Sequence, residues 1–521
     1  MCRGNPERPS SSNTLKNGVN NVTIEASFDD ALEKTGYGKF HLLLFIMVGL
    51  GYAFSAMEVS VLSFVLPAAK CDFEMSSEDA GYLTAFPMLG MALGSFFWGC
   101  IADVFGRRRA YAGSLIVTGV FGLASSVAQY FSIFVLMRVI SGFGMAGILG
   151  LTLPYLGEFQ PFRRRGKTLS WMELCWTVGL IGVPCLAWAI IPIRMRYETT
   201  FFVFDSWNAF VLINSSCILL IGLWALTFPE SPKFLAEVGK PHEALQVLRQ
   251  IYSCNTGNDP SCYAVSALQG SVIDLKAKPG NIEEGRVFKN MVKDFGEQCK
   301  LLFKPPNRFT TLLTCFISFG SNAVYYTLIM WFPEMFTRYQ YYESLHPGKT
   351  TSFCEVASVF RDYQETDAIC TTKLDNQVFT NTFILGLACV PSSLLLPLCI
   401  NKLGSKFFII FCLMIAAGVS LGMNFITSSQ QNLIMSCLFE ASTSLAVITL
   451  YCSLVDLFPT NIRFMGTGLT MAVGRFGALF GNLSFGYMID YNCSIPIILF
   501  SLVLAVSGFA SFSLPIKTAQ Q

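Results

Sequence analysis

Five charged residues lie inside long apolar stretches of the sequence, where a charge is costly to bury: Glu58, Arg138, Glu173, Glu440 and Arg475. Each is therefore a candidate for binding a substrate, carrying a proton or forming a packing ion pair. Glu58 and Arg138 both fall in the outer halves of their stretches, so we expect them to meet. The Arg475 guanidinium stays charged and matches a carboxylate well. Either it binds an anionic ligand or Glu440 neutralises it.

Twelve apolar stretches are long enough to hold these residues in membrane-crossing helices, since about 20 apolar residues cross about 30 Å of hydrocarbon. The stretches are 41–66, 80–102, 110–128, 131–155, 168–193, 208–228, 309–332, 378–400, 407–426, 433–455, 464–489 and 494–514. Of 521 residues, 53% are apolar and 13% are charged, against about 25% charged in soluble domains. The composition predicts an all-α polytopic membrane protein, and the net charge of +2 does not indicate nucleic-acid binding.

Basic residues in the short links predict the orientation, because they concentrate on the cytosolic side. With a cytosolic N-terminus, ten basic residues face the cytosol and three face the opposite side. The ten are Arg107, Arg108, Arg109, Arg163, Arg164, Arg165, Lys167, Lys402, Lys406 and Arg463; the three are Lys70, Arg194 and Arg196. We therefore expect both termini in the cytosol. The polar N-terminal residues contain no apolar leader, which argues against a cleaved signal peptide.

The spans and links predict five regions. Residues 1–40 form a cytosolic segment, 41–228 an N-terminal six-helix bundle, 229–307 a cytosolic linker with short helices, 308–514 a C-terminal bundle, and 515–521 a cytosolic tail. The C-terminal bundle includes an extracellular or luminal loop at 334–377. In that compartment Cys354 and Cys370 either form a disulfide or stay as free thiols. The cysteines and histidines show no metal-ligand spacing, and no nucleophile–base group is evident, so we expect no metal, no cofactor and no enzyme activity.

An internal repeat with an offset of 298 residues relates the two bundles. One pattern follows the second and eighth stretches, and another follows the fourth and tenth. Two patterns that share one offset predict a six-plus-six duplication, in which two bundles rock about a site at the midplane. The patterns are Asp103-x-x-Gly106-x-Arg108 with Asn401-x-x-Gly404-x-Lys406, and Glu158-x-x-Pro161-x-x-x-Arg165 with Asp456-x-x-Pro459-x-x-x-Arg463.

Three motifs resemble those of major facilitator superfamily transporters. They are Gly99-x-x-x-Asp103-x-x-Gly106-Arg107-Arg108, Arg138-x-x-x-Gly142-x-Gly144 and Pro229-Glu230-Ser231-Pro232-Lys233-Phe234-Leu235. Within that superfamily, Leu169-Ser170-Trp171, Ala187-Trp188-Ala189-Ile190-Ile191-Pro192 and Trp331-Phe332-Pro333-Glu334-Met335 are similar to the synaptic vesicle glycoprotein 2 family. Its vertebrate members carry a long pentapeptide-repeat domain after the seventh helix. The corresponding link is short here, so the chain resembles a short relative and the functions of that domain are not implied.

The resemblance implies gating roles for the cytosolic motifs. The loop after the second helix would act as a latch that closes the cytosolic side; alternatively, its arginines only set the orientation. The second copy has Asn401 in place of an acid, so its latch should be weaker. The implied gating residues are Gly99, Asp103, Gly106, Arg107 and Arg108 in the latch, and Glu158, Arg165, Asp456 and Arg463 in two charge clusters.

The resemblance also places helices 1, 4, 7 and 10 around a central cavity, which favours functional roles for Glu58, Arg138 and Glu440. In proton-coupled relatives, an acid of helix 1 and the arginine of helix 4 exchange partners when the acid is protonated. The alternative here is a fixed structural pair. Organic-anion transporters carry an arginine at a place similar to that of Arg475. Helix 7 contains a pattern that resembles one of the sugar porters, formed here by Asn322, Tyr325 and Tyr326. Their side chains offer hydrogen bonds and stacking faces.

The sequence thus predicts a transmembrane transporter of a small organic solute, secondary active or facilitative, working by alternating access. The solute is an organic anion, an organic cation or a sugar, with or without proton coupling. The alternative is a non-transporting membrane scaffold or receptor. We expect a monomer in the lipid bilayer of the plasma membrane or of an intracellular vesicle.

Overall fold

The computed structural model describes residues 25–268 apart from 194 and 201, then 296, 300–346, 356, 374–459, 462–489, 491 and 494–515. Within these ranges the protein consists of long α-helices and two small two-stranded sheets. The helices of the first half are α1 Phe28–Lys34, α2 Lys39–Ala68, α3 Ser77–Phe105, α4 Arg107–Ser126, α5 Phe131–Glu158, α6 Phe162–Ser170, α7 Met172–Ile190 and α8 Ser206–Ala225. They are followed by α9 Pro232–Glu237, α10 Pro241–Thr256, α11 Asn307–Leu345, α12 Asn376–Leu403, α13 Ser405–Gly422, α14 Ser429–Leu457, α15 Arg463–Met488 and α16 Ser494–Ser511.

Twelve helical spans in the described part of the chain correspond to the twelve apolar stretches. Ten of them are long and apolar enough to cross a membrane, with α6 and α7 counted as one span that is interrupted at Trp171. The remaining two are α4, which begins with three arginines, and α15, which is rich in glycine and contains Arg475. They occupy positions among the other spans: α4 packs between α5 and α8, and α15 packs against α3 and α11. The all-α, twelve-helix prediction is confirmed.

The internal repeat is visible in the helix boundaries. Helix α3 ends at Phe105 and α12 ends at Leu403, which are 298 residues apart. The glycine that follows each helix has positive φ, +103° at Gly106 and +79° at Gly404, a conformation that favours glycine. The same helix end, followed by a glycine with positive φ, is therefore repeated in the two halves.

A second repeated contact lies at the turns that follow α5 and α14. The Arg165 guanidinium donates to the carbonyl of Gln160 at 3.5 Å, and that of Arg463 donates to the carbonyl of Phe458 at 3.3 Å. Both arginines thus bind the backbone five residues earlier, which caps the end of the preceding helix. The contact supports the six-plus-six duplication.

The seventh span differs from the sequence prediction, which ended it near residue 332 and assigned 334–345 to a loop. Helix α11 instead continues through Pro333 to Leu345. Its last turns bury Phe336, Tyr339 and Tyr342, and this apolar packing stabilises the extension. A hydropathy window ends the span early because the polar residues of this segment lower the mean, although its aromatic face is buried.

The two halves meet closely at the end of the molecule where α2 stops and α3 starts. Helices α3 and α15 touch through Gly81 and Gly486, where a Cβ on Gly486 would lie 2.6 Å from the Gly81 Cα. Phe64 of α2 stacks on Phe379 of α12 with ring centroids 5.7 Å apart. Small residues permit such backbone contact between membrane helices. The halves are therefore closed against each other at this end.

The segment before α2 packs on the linker that follows α8. Strand β1 (Glu25–Ala26) pairs in parallel with β4 (Ala267–Leu268), and the Tyr263 hydroxyl donates to the carbonyl of Ala31. Helix α10 contributes Asn255, whose amide donates to the carbonyls of Thr35 and Gly36. Strands β2 (Tyr197–Glu198) and β3 (Val203–Phe204) form an antiparallel hairpin before α8. The predicted linker helices are thus present as α9 and α10.

Candidate functional site

Glu58 and Arg138 form a buried ion pair within the first half. Glu58 Oε1 lies 2.6 Å from Arg138 Nη1, and both side chains are about 2% exposed. The carboxylate also accepts hydrogen bonds from Ser141 Oγ at 3.0 Å and from Asn214 Nδ2 at 2.6 Å. The carboxylate of Glu58 therefore has three donors, supplied by α5 and α8, and the expected contact between Glu58 and Arg138 is present.

This ion pair borders the interface between the halves. A small void beside it is lined by Pro87, Met88 and Met91 of α3 and is closed by Met330 of α11, which belongs to the second half. The Arg138 guanidinium also lies over the Phe134 ring, 5.4 Å from its centroid, which adds a cation–π contact. The guanidinium is thus held by Glu58 at Nη1 and by the Phe134 ring, while Nε and Nη2 of Arg138 have no hydrogen-bond partner among the described residues.

Arg475 lies in an aromatic environment in the second half. Its guanidinium carbon is 4.4 Å from the centroid of the Tyr326 ring, and the residue is 7% exposed. Tyr451 of α14 and Tyr52 of α2 also face it, and Tyr52 packs against Trp176 of α7. Side chains from both halves thus converge on one guanidinium.

The amide of Asn322 organises the wall beside this guanidinium. Its Nδ2 donates to the carbonyl of Ser318 at 2.7 Å, and its Oδ1 accepts from the Tyr451 hydroxyl at 3.0 Å. A Cβ on Gly474 would lie 2.8 Å from that Nδ2, so glycine is needed for α15 to approach α11. This approach places Arg475 against Tyr326.

The alternative in which Glu440 neutralises Arg475 is not realised in this conformation. Among the described residues no carboxylate oxygen lies within 4.0 Å of the Arg475 guanidinium, so no salt bridge forms. Glu440 is 1% exposed and lies beside Tyr325. Glu173 of α7 is half-buried and faces the same tyrosine from the first half. In the described part of the chain, no ion pair therefore joins Arg475 to Glu440 or to Glu173.

The residues of the predicted latch contact one another, and all their described partners belong to the first half and the start of the linker. Arg107 bonds Asp103 and lies 3.3 Å from Glu158, while the backbone N–H of Arg108 donates to Glu230 at 2.8 Å. A Cβ on Gly106 would lie 2.4 Å from a Glu230 carboxylate oxygen, so glycine is required. Gly99 is buried one turn before Asp103.

The predicted charge clusters differ in their pairing. Glu158 binds Arg107, whereas Arg165 binds a backbone carbonyl, so the Glu158–Arg165 ion pair is absent from the described contacts. The sequence pattern indicated which residues meet at this end but not which of the two arginines the acid selects. The side chain of Asp456 lies outside the described residues, and so do Cys354 and Cys370.

Sequence reasoning missed an ionic cluster between the halves at the closed end. Glu334 Oε1 lies 3.0 Å from Arg338 Nε and 3.9 Å from Lys70 Nζ, and Arg338 Nη2 donates to Ser77 Oγ at 3.2 Å. Lys70 and Ser77 belong to the first half and the other two to the second. The signal was hidden because the seventh span was ended before Glu334.

Asp72 lies in the same α2–α3 connection as Lys70. Burial raises the pKa of its carboxyl, although the Trp207 indole N–H donates to it at 2.6 Å and Arg196 lies 3.5 Å away. The connection is therefore tied to α8 as well as to α11.

Sequence comparison identifies relatives of this chain. Residues 48–360 match the Major Facilitator Superfamily. The chain is 27% identical to synaptic vesicle glycoprotein 2C of Rattus norvegicus over 94% of this chain and 81% of that protein. It is 32% identical to synaptic vesicle glycoprotein 2A of Homo sapiens over 61% of this chain and 44% of that protein.

In fold, the chain is similar to the xylose transporter XylE from E. coli in a partially occluded inward-open conformation. The TM-score is 0.65 with 18% sequence identity, over 92% of this chain and 99% of XylE. A second inward-open structure of XylE gives a TM-score of 0.64. With the family match covering more than half of its length, the chain belongs to the major facilitator superfamily of transmembrane transporters.

Proposed function

We propose that this transporter moves a small organic anion across the membrane by alternating access. In this proposal the units that rock are the bundles at 41–228 and 308–514, and the linker at 229–307 connects them on the cytosolic side. The site lies where Tyr52 of the first half meets Tyr326, Tyr451 and Arg475 of the second. A solute held between side chains of both halves is exposed to one side and then to the other as the halves rock.

The sign of the solute follows from Arg475, which is the observation that carries the proposal. The guanidinium is buried and always charged, and one of its terminal nitrogens has no hydrogen-bond partner in the described part of the chain. The tyrosines stabilise the cation, and Tyr326 also hydrogen-bonds it, but the donors of Nη1 are left for a ligand. A carboxylate can accept from Nη1 and displace the Tyr326 hydroxyl from a neighbouring donor, which gives a bidentate arrangement.

This site is less suited to binding a sugar. Both functional atoms of the Asn322 amide are already engaged, one by Ser318 and one by Tyr451. A sugar hydroxyl would have to displace one of these bonds, whereas an anion uses donors of Arg475 that are free of any acid. Tyr325 and Tyr326 then contribute aromatic walls and not the principal polar ligands.

The gating roles remain part of the proposal. Asp103, Arg107 and Glu158 would hold the cytosolic end of the first half together while the cluster of Glu334, Arg338 and Lys70 opens and closes the opposite end. Both termini would lie in the cytosol, and the membrane is the plasma membrane or that of a vesicle. The protein would act as a monomer, without a cofactor.

The test is uptake into proteoliposomes by the wild type, Arg475→Gln and Arg475→Lys. One charged hydrogen-bonded contact contributes about 1.5–3 kcal/mol, so Arg475→Gln should lower anion uptake by a factor of ~10–150. Arg475→Lys keeps the charge but loses the bidentate geometry and should fall between the two. Arg196→Gln, which removes a half-exposed arginine, is the matched control and should transport normally. Unchanged anion uptake by a folded Arg475→Gln protein would exclude this substrate class.

A further inference from the structure

Glu440 is a buried carboxylate that forms no ion pair with the described residues. It lies eleven residues after Ser429, the first residue of α14, so it is about 16 Å along the helix, near the middle of a membrane core of about 30 Å. It is 1% exposed. Neither carboxylate oxygen has a hydrogen-bond partner among the described residues. An ionised carboxylate is therefore disfavoured at this place.

The neighbouring hydroxyls of α14 itself bond other groups of that helix. One turn later along α14, Thr443 donates to the carbonyl of Phe439 and Ser444 donates to that of Ala441. One turn earlier, the Ser436 hydroxyl points to the amide oxygen of Asn432. The helix face that carries Glu440 thus satisfies its own backbone, and the neutral hydroxyl of Tyr325 on α11 is the donor that lies beside the carboxylate.

The titratable groups around Glu440 do not compensate a negative charge. Tyr325 of α11, Cys389 of α12 and Cys437 of α14 are the ones that face it, and all three are neutral hydrogen-bonding groups at neutral pH. Glu173 of α7 faces Tyr325 from the other half and supplies no positive charge.

The cations of the adjacent helices are engaged elsewhere. On α15, Arg475 lies over the Tyr326 ring. On α13, Lys406 donates to the carbonyl of Leu514 at the cytosolic end. No described cation is therefore placed to keep Glu440 ionised.

Two other carboxylates that are as deeply buried show the contrast. Glu58 accepts three donors, one of them a guanidinium, and Glu334 bonds Arg338 with Lys70 nearby. Both sites are built for the ionised form. The site of Glu440 is built for the neutral form.

We propose that Glu440 carries a proton in this conformation and is the group that binds and releases the coupled proton during transport, while Glu58 stays ionised in its pair with Arg138. The binding step is the addition of one proton to the carboxylate, which removes its charge. Release follows when separation of the halves admits water to the site and stabilises the ionised form. The coupling part of this inference rests on the proposed transport function; the protonation part does not.

The protonation state is tested by infrared spectroscopy of the full-length protein in lipid at neutral pH. A protonated carboxyl has a carbonyl stretch that an ionised carboxylate lacks. We expect this band in the wild type, the loss of one carboxyl's share of it in Glu440→Gln and its full retention in Glu58→Gln. Persistence of the full band in Glu440→Gln would overturn the assignment, and so would its absence from the wild type.

A second measurement does not depend on any variant folding. Hydrophobic carbodiimides react with protonated carboxyls inside membranes, and peptide mass spectrometry locates the adduct. We expect an adduct at Glu440 and none at Glu58 in the same wild-type sample. Labelling of Glu58 with none at Glu440 would reverse the two roles.

Coupling is tested separately with the anion that the wild type transports best. Glu440→Gln should retain anion exchange across the membrane at a rate near that of the wild type, but a pH gradient should no longer raise its accumulation. Gradient-driven accumulation that survives in Glu440→Gln would contradict the coupling role. If the infrared result holds and no solute is transported at all, the proposed function fails and the protonation of Glu440 stands.

Discussion

Removing the charge of Glu58 is the change whose effect follows most directly from the geometry. In Glu58→Gln the amide keeps the shape of the side chain and can still accept from Ser141 or Asn214. It no longer neutralises Arg138, which is buried and has its Nη1 atom 2.6 Å from the lost charge. The guanidinium is left desolvated beside the Phe134 ring.

The expected loss is large because the remaining charge is fully buried. Breaking a buried ion pair by removing one partner costs about 3–5 kcal/mol, which is about 10²–10⁴-fold in the folding equilibrium. The double change Glu58→Gln with Arg138→Met removes both charges and leaves an apolar side chain of similar length. It should restore most of the lost stability.

Thermal and denaturant unfolding in matched detergent measure this effect, with the wild type, both single variants and the double variant compared at one protein concentration. The single variants should unfold much earlier than the wild type, and the double variant should recover. If Glu58→Gln unfolds together with the wild type, Glu58 is already protonated in the native protein. The ion pair would then not be the fixed structural element described above.

Three further predictions concern gating and orientation. Asp103→Asn should leave expression and stability nearly unchanged, because the Asp103 side chain is 49% exposed and exposed ion pairs contribute about 0–1 kcal/mol. The variant should nevertheless slow conformational exchange. If its transport kinetics equal those of the wild type, the loop only sets the orientation. Gly486→Leu should hold the halves apart at their closed end. An introduced Ala80→Cys should then react faster with an impermeant thiol reagent. Gly150→Leu, where a Cβ meets open space, should leave this labelling rate unchanged. Epitope tags at both termini should be accessible only after the plasma membrane is permeabilised, and access from outside in intact cells would reverse the topology.

Much of the architecture could be predicted from the sequence because hydropathy and the repeat act locally along the chain. Each apolar stretch became a helix, and the 298-residue offset reappears in the positive φ of Gly106 and Gly404. The contact of Glu58 with Arg138 could also be anticipated, since two opposite charges at similar depths in a membrane have few other partners.

The partner choices could not be predicted, because they depend on how each helix is rotated about its axis. Glu158 selects Arg107 and not Arg165, and Arg475 packs on Tyr326 and not against Glu440. Hydropathy contains no information on rotation. The hydropathy pattern also predicted an end of α11 that is too early, so the ionic cluster around Glu334 was not predicted.

The central claim is that this chain moves an organic anion through a site built on Arg475, and proteoliposome uptake of a mixed solute panel tests it most directly. The panel contains small anions, cations and neutral sugars, and the internal solutes are identified by mass spectrometry. We predict that one or more organic anions enter faster than in protein-free vesicles, that Arg475→Gln lowers this uptake by a factor of ~10–150 and that Arg196→Gln preserves it. Entry of no solute above the protein-free rate, or uptake confined to cations or sugars and indifferent to Arg475, would contradict the account.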